Sequence, residues 1–166
     1  MPRRVWSWLT DRASLTARLE AACGDRFRVE LQRQYWGRPT LDEARVLGLH
    51  PERFALLREV CLYCGEVPWV FARTVIPRRS LSGRLKALGR LGTRPLGAVL
   101  FADPRMRRGP LEIAAIRPGT PLFERATARL DDAPPQIWGR RSVFRLAGKP
   151  LLVSEIFLPA FGESRP

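Results

Sequence analysis

Two pairs of apolar segments, each long enough for a strand and each turned back on itself within a few residues, constrain this chain more than anything else in it. Residues 54–64 read FALLREVCLYC, Gly65 and Glu66 supply a turn, and residues 68–76 return. Residues 137–146 and 151–158 repeat the arrangement across Ala147-Gly148-Lys149-Pro150. Runs rich in β-branched and aromatic residues, bounded by glycine and proline, mark strands, and connections this short join antiparallel neighbours. With helical segments inserted between the hairpins, the pattern predicts an α+β fold on an antiparallel sheet, not a doubly wound parallel one.

The remaining segments fit around that sheet. Val5, Trp6, Leu9, Leu15, Leu19 and Ala22 recur at mostly helical intervals, which predicts one opening helix ended by Gly24. Phe27, Val29 and Leu31 alternate with Arg28, Glu30 and Gln32 as in a half-buried strand, broken at Gly37-Arg38-Pro39. Thr40 is placed to cap a short helix reaching Gly48. Residues 80–91 have helical periodicity, 95–101 form a shorter helix opened by proline, and 111–116 form a short strand. Between them and the last hairpin, 118–135 has proline- and acid-rich edges around one helical turn near 124–130. A chain of 166 residues is the size of one domain, here 1–166, and buries about 70% of its unfolded surface.

Several chemistries are excluded by what the chain lacks. His50, the one histidine, precedes Pro51 in a loop, so neither a histidine-based triad nor a multi-histidine metal site can be assembled. Cys61 and Cys64 make a lone CxxC within a strand, with no second pair to complete a zinc site, and Cys23 leaves the cysteine count odd. Reduced, buried thiols are expected, with no disulfide and no bound metal. No glycine-rich phosphate loop is present, so no nucleotide cofactor is expected. The stretch MPRRVWSWLTDRASL meets an acid too early for a signal or anchor, and no apolar run approaches the ~20 residues of a membrane span. A cytoplasmic protein without stable membrane insertion is the expectation.

The net charge of +13 invites a nucleic-acid reading. All but two of the 29 basic residues are arginine, however, and they are scattered along the chain instead of gathered in one tail or helix. A surface of this kind attracts small dianions and does not by itself make a nucleic-acid partner.

More informative are ionisable residues on apolar strand faces. Arg58 shares a face with Leu56, Val60 and Leu62, while Glu59 lies on the other face with Ala55, Leu57, Cys61 and Tyr63, where exposure would account for it. Arg73 falls with Trp69, Phe71 and Val75, and Glu155 with Leu151, Val153 and Phe157. A buried unpaired charge costs several kcal/mol, so these groups need partners, either one another or a charged ligand. Alternation leaves both open.

The segments LREVCLYCGEVPWVFARTVIP (57–77), LGTRPLGAVLF (91–101) and IWGRRSVFRLAGKPLLVSEIFLPA (137–160), in that order, resemble the chorismate lyase family of the ubiquinone pathway over most of the chain. The resemblance implies a monomeric, cofactor-independent lyase that converts chorismate to 4-hydroxybenzoate and pyruvate. It also implies a single domain with a six-stranded antiparallel sheet, the ligand enclosed beneath helical flaps, and product inhibition. The family's carboxylate-binding arginine falls on Arg58, and the glutamate that faces the ring hydroxyl, or assists proton movement, falls on Glu155. Flap contacts through backbone amides fall on Leu15 and Leu96. Arg73, in the RTVIP match, stands as a second cation for the enolpyruvyl carboxylate, or as a group paired with a neighbouring acid. The segment 115–136 is longer than in the shorter members, so flap closure and product release could differ. A non-catalytic domain of the same fold that binds or senses a molecule like 4-hydroxybenzoate is the alternative.

Overall fold

Seven strands and five α-helices make up the computed structural model, which describes residues 3–163. The strands are β1 (Phe27–Gly37), β2 (Ala55–Cys64), β3 (Val67–Pro77), β4 (Met106–Arg108), β5 (Glu112–Ile116), β6 (Ile137–Leu146) and β7 (Lys149–Phe157). The helices are α1 (Arg3–Leu9), α2 (Leu15–Cys23), α3 (Leu41–Val46), α4 (Leu96–Ala102) and α5 (Pro121–Thr127). All strand pairs are antiparallel, in the order β1-β2-β3-β7-β6, and β4 and β5 share the outer edge of β6. The expected α+β class holds, with seven strands in place of six. The three-residue β4 is too short for its two arginines to show any alternation.

Two turns fix the register. Ala147 and Gly148 both have positive φ, 49° and 78°, as in a two-residue hairpin turn, and Leu146 pairs with Lys149. The sequence reading made that turn two residues longer. In the other hairpin Cys64 pairs with Val67, but the register shifts between Leu62 and Tyr63, leaving Trp69 as the extra residue of a bulge. Trp69 therefore packs with Phe157, Phe161 and Leu62 rather than beside Phe71 and Arg73 as strict alternation predicts.

The sheet is covered on both faces. On one, α1 and α2 pack through Val5, Leu9, Leu15 and Leu19 onto Val60, Leu62, Val70 and Phe157. On the same face α4 and the 3-10 segment Gly83–Arg90 pack through Leu85, Leu88, Leu96 and Leu100 onto Leu56, Ile76, Phe144 and Val153. The other face carries α3 with the adjacent Leu47 and α5 with Phe123. Burial on both sides explains why β2 is apolar almost throughout.

The N-terminal helix is two helices. Ser14 interrupts the apolar period and caps α2, its hydroxyl accepting from the Ala17 amide at 3.2 Å. Thr40 caps α3 as expected, in a capping box closed by Glu43. Residues 83–90 wind as 3-10 helix, not α-helix.

One expectation about the cysteines is corrected. Cys23, at the end of α2, and Cys64, at the end of β2, are joined as a disulfide with Cα atoms 5.7 Å apart. Cys61 is the free thiol, on the opposite face, where burial pushes its pKa up to about 11. The CxxC spacing puts its two sulfurs on opposite sides of the strand, so the pair could not have shared a metal. No group of metal-binding side chains occurs, and no helix is long and apolar enough to cross a membrane, among the described residues.

Candidate functional site

Strand register decides which of the odd charges meet. Arg58 pairs with Thr74, which pairs with Val153, while Val60 pairs with Ala72, which pairs with Glu155. Paired residues point to the same side of a sheet, so Arg58 and Glu155 share the face covered by α2 and α4. They line one cavity of about 50 Å³ between the two hydrophobic clusters of that face, together with Leu15, Thr16, Leu96 and Gly97. Four of the five site residues expected from the sequence are thus brought together. The volume is that of one or two water molecules, whereas ligand pockets run to several hundred Å³. A ring-sized guest needs more room than this, and α2 and α4 are the helices that cover the cavity.

The two helices meet over the cavity at a glycine. A Cβ on Gly97 would lie 2.8 Å from the Thr16 hydroxyl oxygen, so a hydrogen there is what lets α4 start against α2. Leu15 and Leu96 are the first residues of these helices, and first-turn amides have no partner within the helix.

Arg58 is 2% exposed, and burial lowers its pKa from the usual guanidinium value. Its Nη1 donates to the Gly92 carbonyl at 2.8 Å and to Gln34 Oε1 at 3.4 Å, and its Nη2 donates to the Arg94 carbonyl at 3.1 Å. Three of the five guanidinium donors are used in this way, leaving Nε–H and one Nη2–H for a ligand. Two of the carbonyls it holds belong to the loop that leads into α4.

Glu155 has partners that the sequence reading did not assign. Its Oε2 accepts from Arg140 Nε at 2.6 Å and lies 4.0 Å from Arg108 Nη2. Arg140 stands directly opposite Glu155 in the β6–β7 ladder. Arg108, on β4, also donates from Nε to Ser142 Oγ at 3.0 Å. Burial, with the neighbouring Arg140 and Arg12 adding and Glu155 opposing, brings the pKa of Arg108 down to about 10.

Arg73 does not join this cavity. It pairs with Glu59 and Ser154 in the ladders, and so points to the opposite face. There its Nε and Nη2 donate to the two oxygens of Glu43 at 2.7 and 3.1 Å, and its Nη1, 3.7 Å from Glu59, has no hydrogen-bond partner. Burial alone would lower its pKa, but the bonds and charge of Glu43, with Tyr35 and Glu59, raise it above the usual value. Glu59, read as exposed, is 2% exposed and accepts from Arg125 at 2.8 Å. That face has a cleft of about 700 Å³ between α3, β5 and α5. Its charges are mostly paired with one another, Arg73 with Glu43 and Arg141 with Asp42 and Glu112. The smaller cavity is the better candidate, because Arg58 and Glu155, the two site charges expected from the sequence, line it together, whereas Arg73 in the larger cleft is already paired with Glu43. The long segment 115–136 contributes α5 to the cleft side and does not reach the helices that cover the cavity.

Comparison with known proteins bears on this arrangement. A family model described as chorismate lyase matches residues 1–164. A protein of Azoarcus sp. (strain BH72) named probable chorismate pyruvate-lyase is 52% identical over 162 residues, covering 95% of this chain and 85% of the relative. Another of that name, from Methylococcus capsulatus, is 47% identical over 154 residues, covering 93% of this chain and 94% of the relative. Among solved structures, the C-terminal domain of histidine utilization repressor from Pseudomonas syringae superposes with a TM-score of 0.63 at 9% identity, over 85% of this chain and 97% of that one. PhnF from Mycobacterium smegmatis gives 0.63 at 18% identity, over 90% of this chain and 65% of that one. At such identities these two show the shared fold alone.

Proposed function

The chain belongs to the chorismate lyase family, and we propose that it removes pyruvate from chorismate to leave 4-hydroxybenzoate, in the cavity under α2 and α4. One observation carries this reading: a small cavity with a guanidinium that keeps free donors, Arg58, and a carboxylate, Glu155, on the same sheet face.

Chorismate carries a ring carboxylate, an enolpyruvyl ether on one ring carbon and a hydroxyl on the next. Arg58 takes the ring carboxylate through Nε and Nη2, a pairing strengthened by its burial. Glu155 meets the ring hydroxyl at the other end and sets the orientation. The ether C–O bond then breaks, the ring carbon bearing the hydroxyl gives up its hydrogen, and the enolpyruvyl methylene becomes the methyl of pyruvate. Aromatisation of the ring drives the step, so the protein's task is to hold the side chain in a reactive conformation and to stabilise charge while the bond breaks. Leu15 and Leu96 contribute through backbone amides at the two helix starts. Arg73, on the opposite face, is assigned to holding α3 there. A product lying under both helices leaves only when they part, so release is slow in this reading.

Purified protein given chorismate is expected to yield 4-hydroxybenzoate, followed by absorbance, and pyruvate in equal amounts, with added metal or with chelator alike. Glu155→Gln keeps the shape but removes the anion, and turnover is expected to fall about 10- to 100-fold, the usual worth of a hydrogen bond to a charged group. Near-normal turnover in that variant would reduce Glu155 to a hydrogen-bonding role. Saturable 4-hydroxybenzoate binding with no turnover in the wild type would overturn the lyase reading in favour of a binding domain.

A further inference from the structure

Two arginines face Glu155 with one side of the guanidinium and, with the other, the chain from the last turn of α1 to the start of α2. Arg140 Nη1 donates to the Trp8 carbonyl at 2.6 Å and also to the Asp11 carbonyl. Arg108 Nη1 donates to the carbonyls of Arg12 at 2.8 Å and Ala13 at 3.3 Å. Arg12 reciprocates, its Nη2 donating to the Arg108 carbonyl at 3.0 Å. The side chains of both Arg140 and Arg108 are almost wholly buried. Residues 8–13 lead directly into α2, whose first residue lines the cavity. An outward movement of α2 that carries these residues with it breaks the bonds from their carbonyls to both guanidinium groups.

We propose that Arg140 and Arg108 are positioning residues that latch the α2 flap to the Glu155 carboxylate, so that flap opening and the contact between Glu155 and the ligand are coupled. The proposal rests on reading the cavity as the ligand site. Arginine suits the role because its planar fork offers donors in several directions at once, here to a carboxylate on one side and to carbonyls on the other. The two arginines come from different strands, so the chain ahead of α2 is held at two successive places, Trp8 to Asp11 and Arg12 to Ala13. A ligand hydroxyl that engages Glu155 competes for the atom that orients both guanidinium groups. Glu155 thereby links the occupant of the cavity to the grip on its lid.

Amide hydrogen exchange on the full chain, for wild type, Arg140→Lys and Arg108→Lys, tests the latch. Lysine keeps a positive charge beside Glu155, but its single ammonium cannot span the carboxylate and the carbonyls. In the unliganded protein, exchange over residues 8–20 is expected to rise about tenfold in each variant, the scale of one or two lost net hydrogen bonds, while β2 and β3 keep wild-type protection. The rate of 4-hydroxybenzoate release, measured by rapid mixing, is expected to rise by a similar factor. Unchanged exchange over residues 8–20, or a loss of protection spread evenly across the sheet, would overturn the latch. Absence of any 4-hydroxybenzoate binding would instead strike at the proposed function, because the exchange in unliganded protein needs no ligand. Arg108→Lys gives up the longer of the two carboxylate contacts and keeps the test decisive where Arg140→Lys does not fold.

Discussion

Arg58→Ala is expected to lower kcat/KM for chorismate by roughly 30-fold to several thousandfold, with 4-hydroxybenzoate affinity falling alongside it. The range corresponds to the ~2–5 kcal/mol lost when one partner of a buried, hydrogen-bonded charge pair is truncated. Two losses combine. The ring carboxylate loses a bidentate donor, and the Gly92 and Arg94 carbonyls lose the group that holds the loop ahead of α4. Arg58→Lys separates them, since it restores a charge without the fork and is expected to recover only part of the loss. Circular dichroism and thermal unfolding establish that each variant is folded, steady-state kinetics give kcat and KM, and equilibrium titration gives product affinity. A folded Arg58→Ala protein with a wild-type rate would remove Arg58 from the carboxylate-binding role.

Two independent signals in the sequence meet on Arg58 and Glu155. Alternation marked both as charges on apolar faces, and the family resemblance fell on the same two residues. Alternation failed where the pairing itself was needed. Arg140 stands in the WGRRS segment, but naming it as the partner of Glu155 requires the register of the last hairpin. With the turn taken as four residues, Arg140 falls opposite Phe157; with the two-residue turn that the positive φ of Ala147 and Gly148 allows, it falls opposite Glu155. Residue 147 is an alanine, which rarely adopts that conformation, so the sequence carried no Asn-Gly or Gly-Gly signal for the tighter turn. Trp69 was misplaced for a related reason, because a bulge inverts the parity of every residue on one side of it and leaves no compositional mark. Glu59 looked exposed because its face was not known to be covered by α5, an element hidden in a segment edged by proline and acid. Arg108 lay on a strand too short to be seen, and only the folded chain brings it within 4.0 Å of Glu155.

The second large effect belongs to the opposite face and should leave the chemistry alone. Glu43→Ala is expected to destabilise the protein by about 3–5 kcal/mol, the usual cost of breaking a buried ion pair from one side. Its carboxylate receives both Nε and Nη2 of Arg73, a side chain 4% exposed. The same carboxylate accepts the Thr40 amide at 2.8 Å and closes the capping box of α3. Truncation therefore leaves a buried guanidinium with Glu59 as its remaining acid, 3.7 Å away, and removes one half of the capping box, while the Thr40 hydroxyl still accepts the backbone amide of residue 43. At ~2–4 °C per kcal/mol for a chain of this size, the midpoint of thermal unfolding should drop by roughly 10 °C. Arg73→Met in the Glu43→Ala background removes the stranded charge and is expected to restore part of the loss, since apolar replacement of a buried ion pair is often neutral or better. Additive losses in that double variant would mean that the pair is not coupled. KM for chorismate in the folded Glu43→Ala protein is expected to stay within about twofold of wild type, because the sheet separates Glu43 and Arg73 from the cavity that holds Arg58. A large rise in KM would instead show that the two faces communicate through β3, and would return Arg73 to the substrate-binding residues.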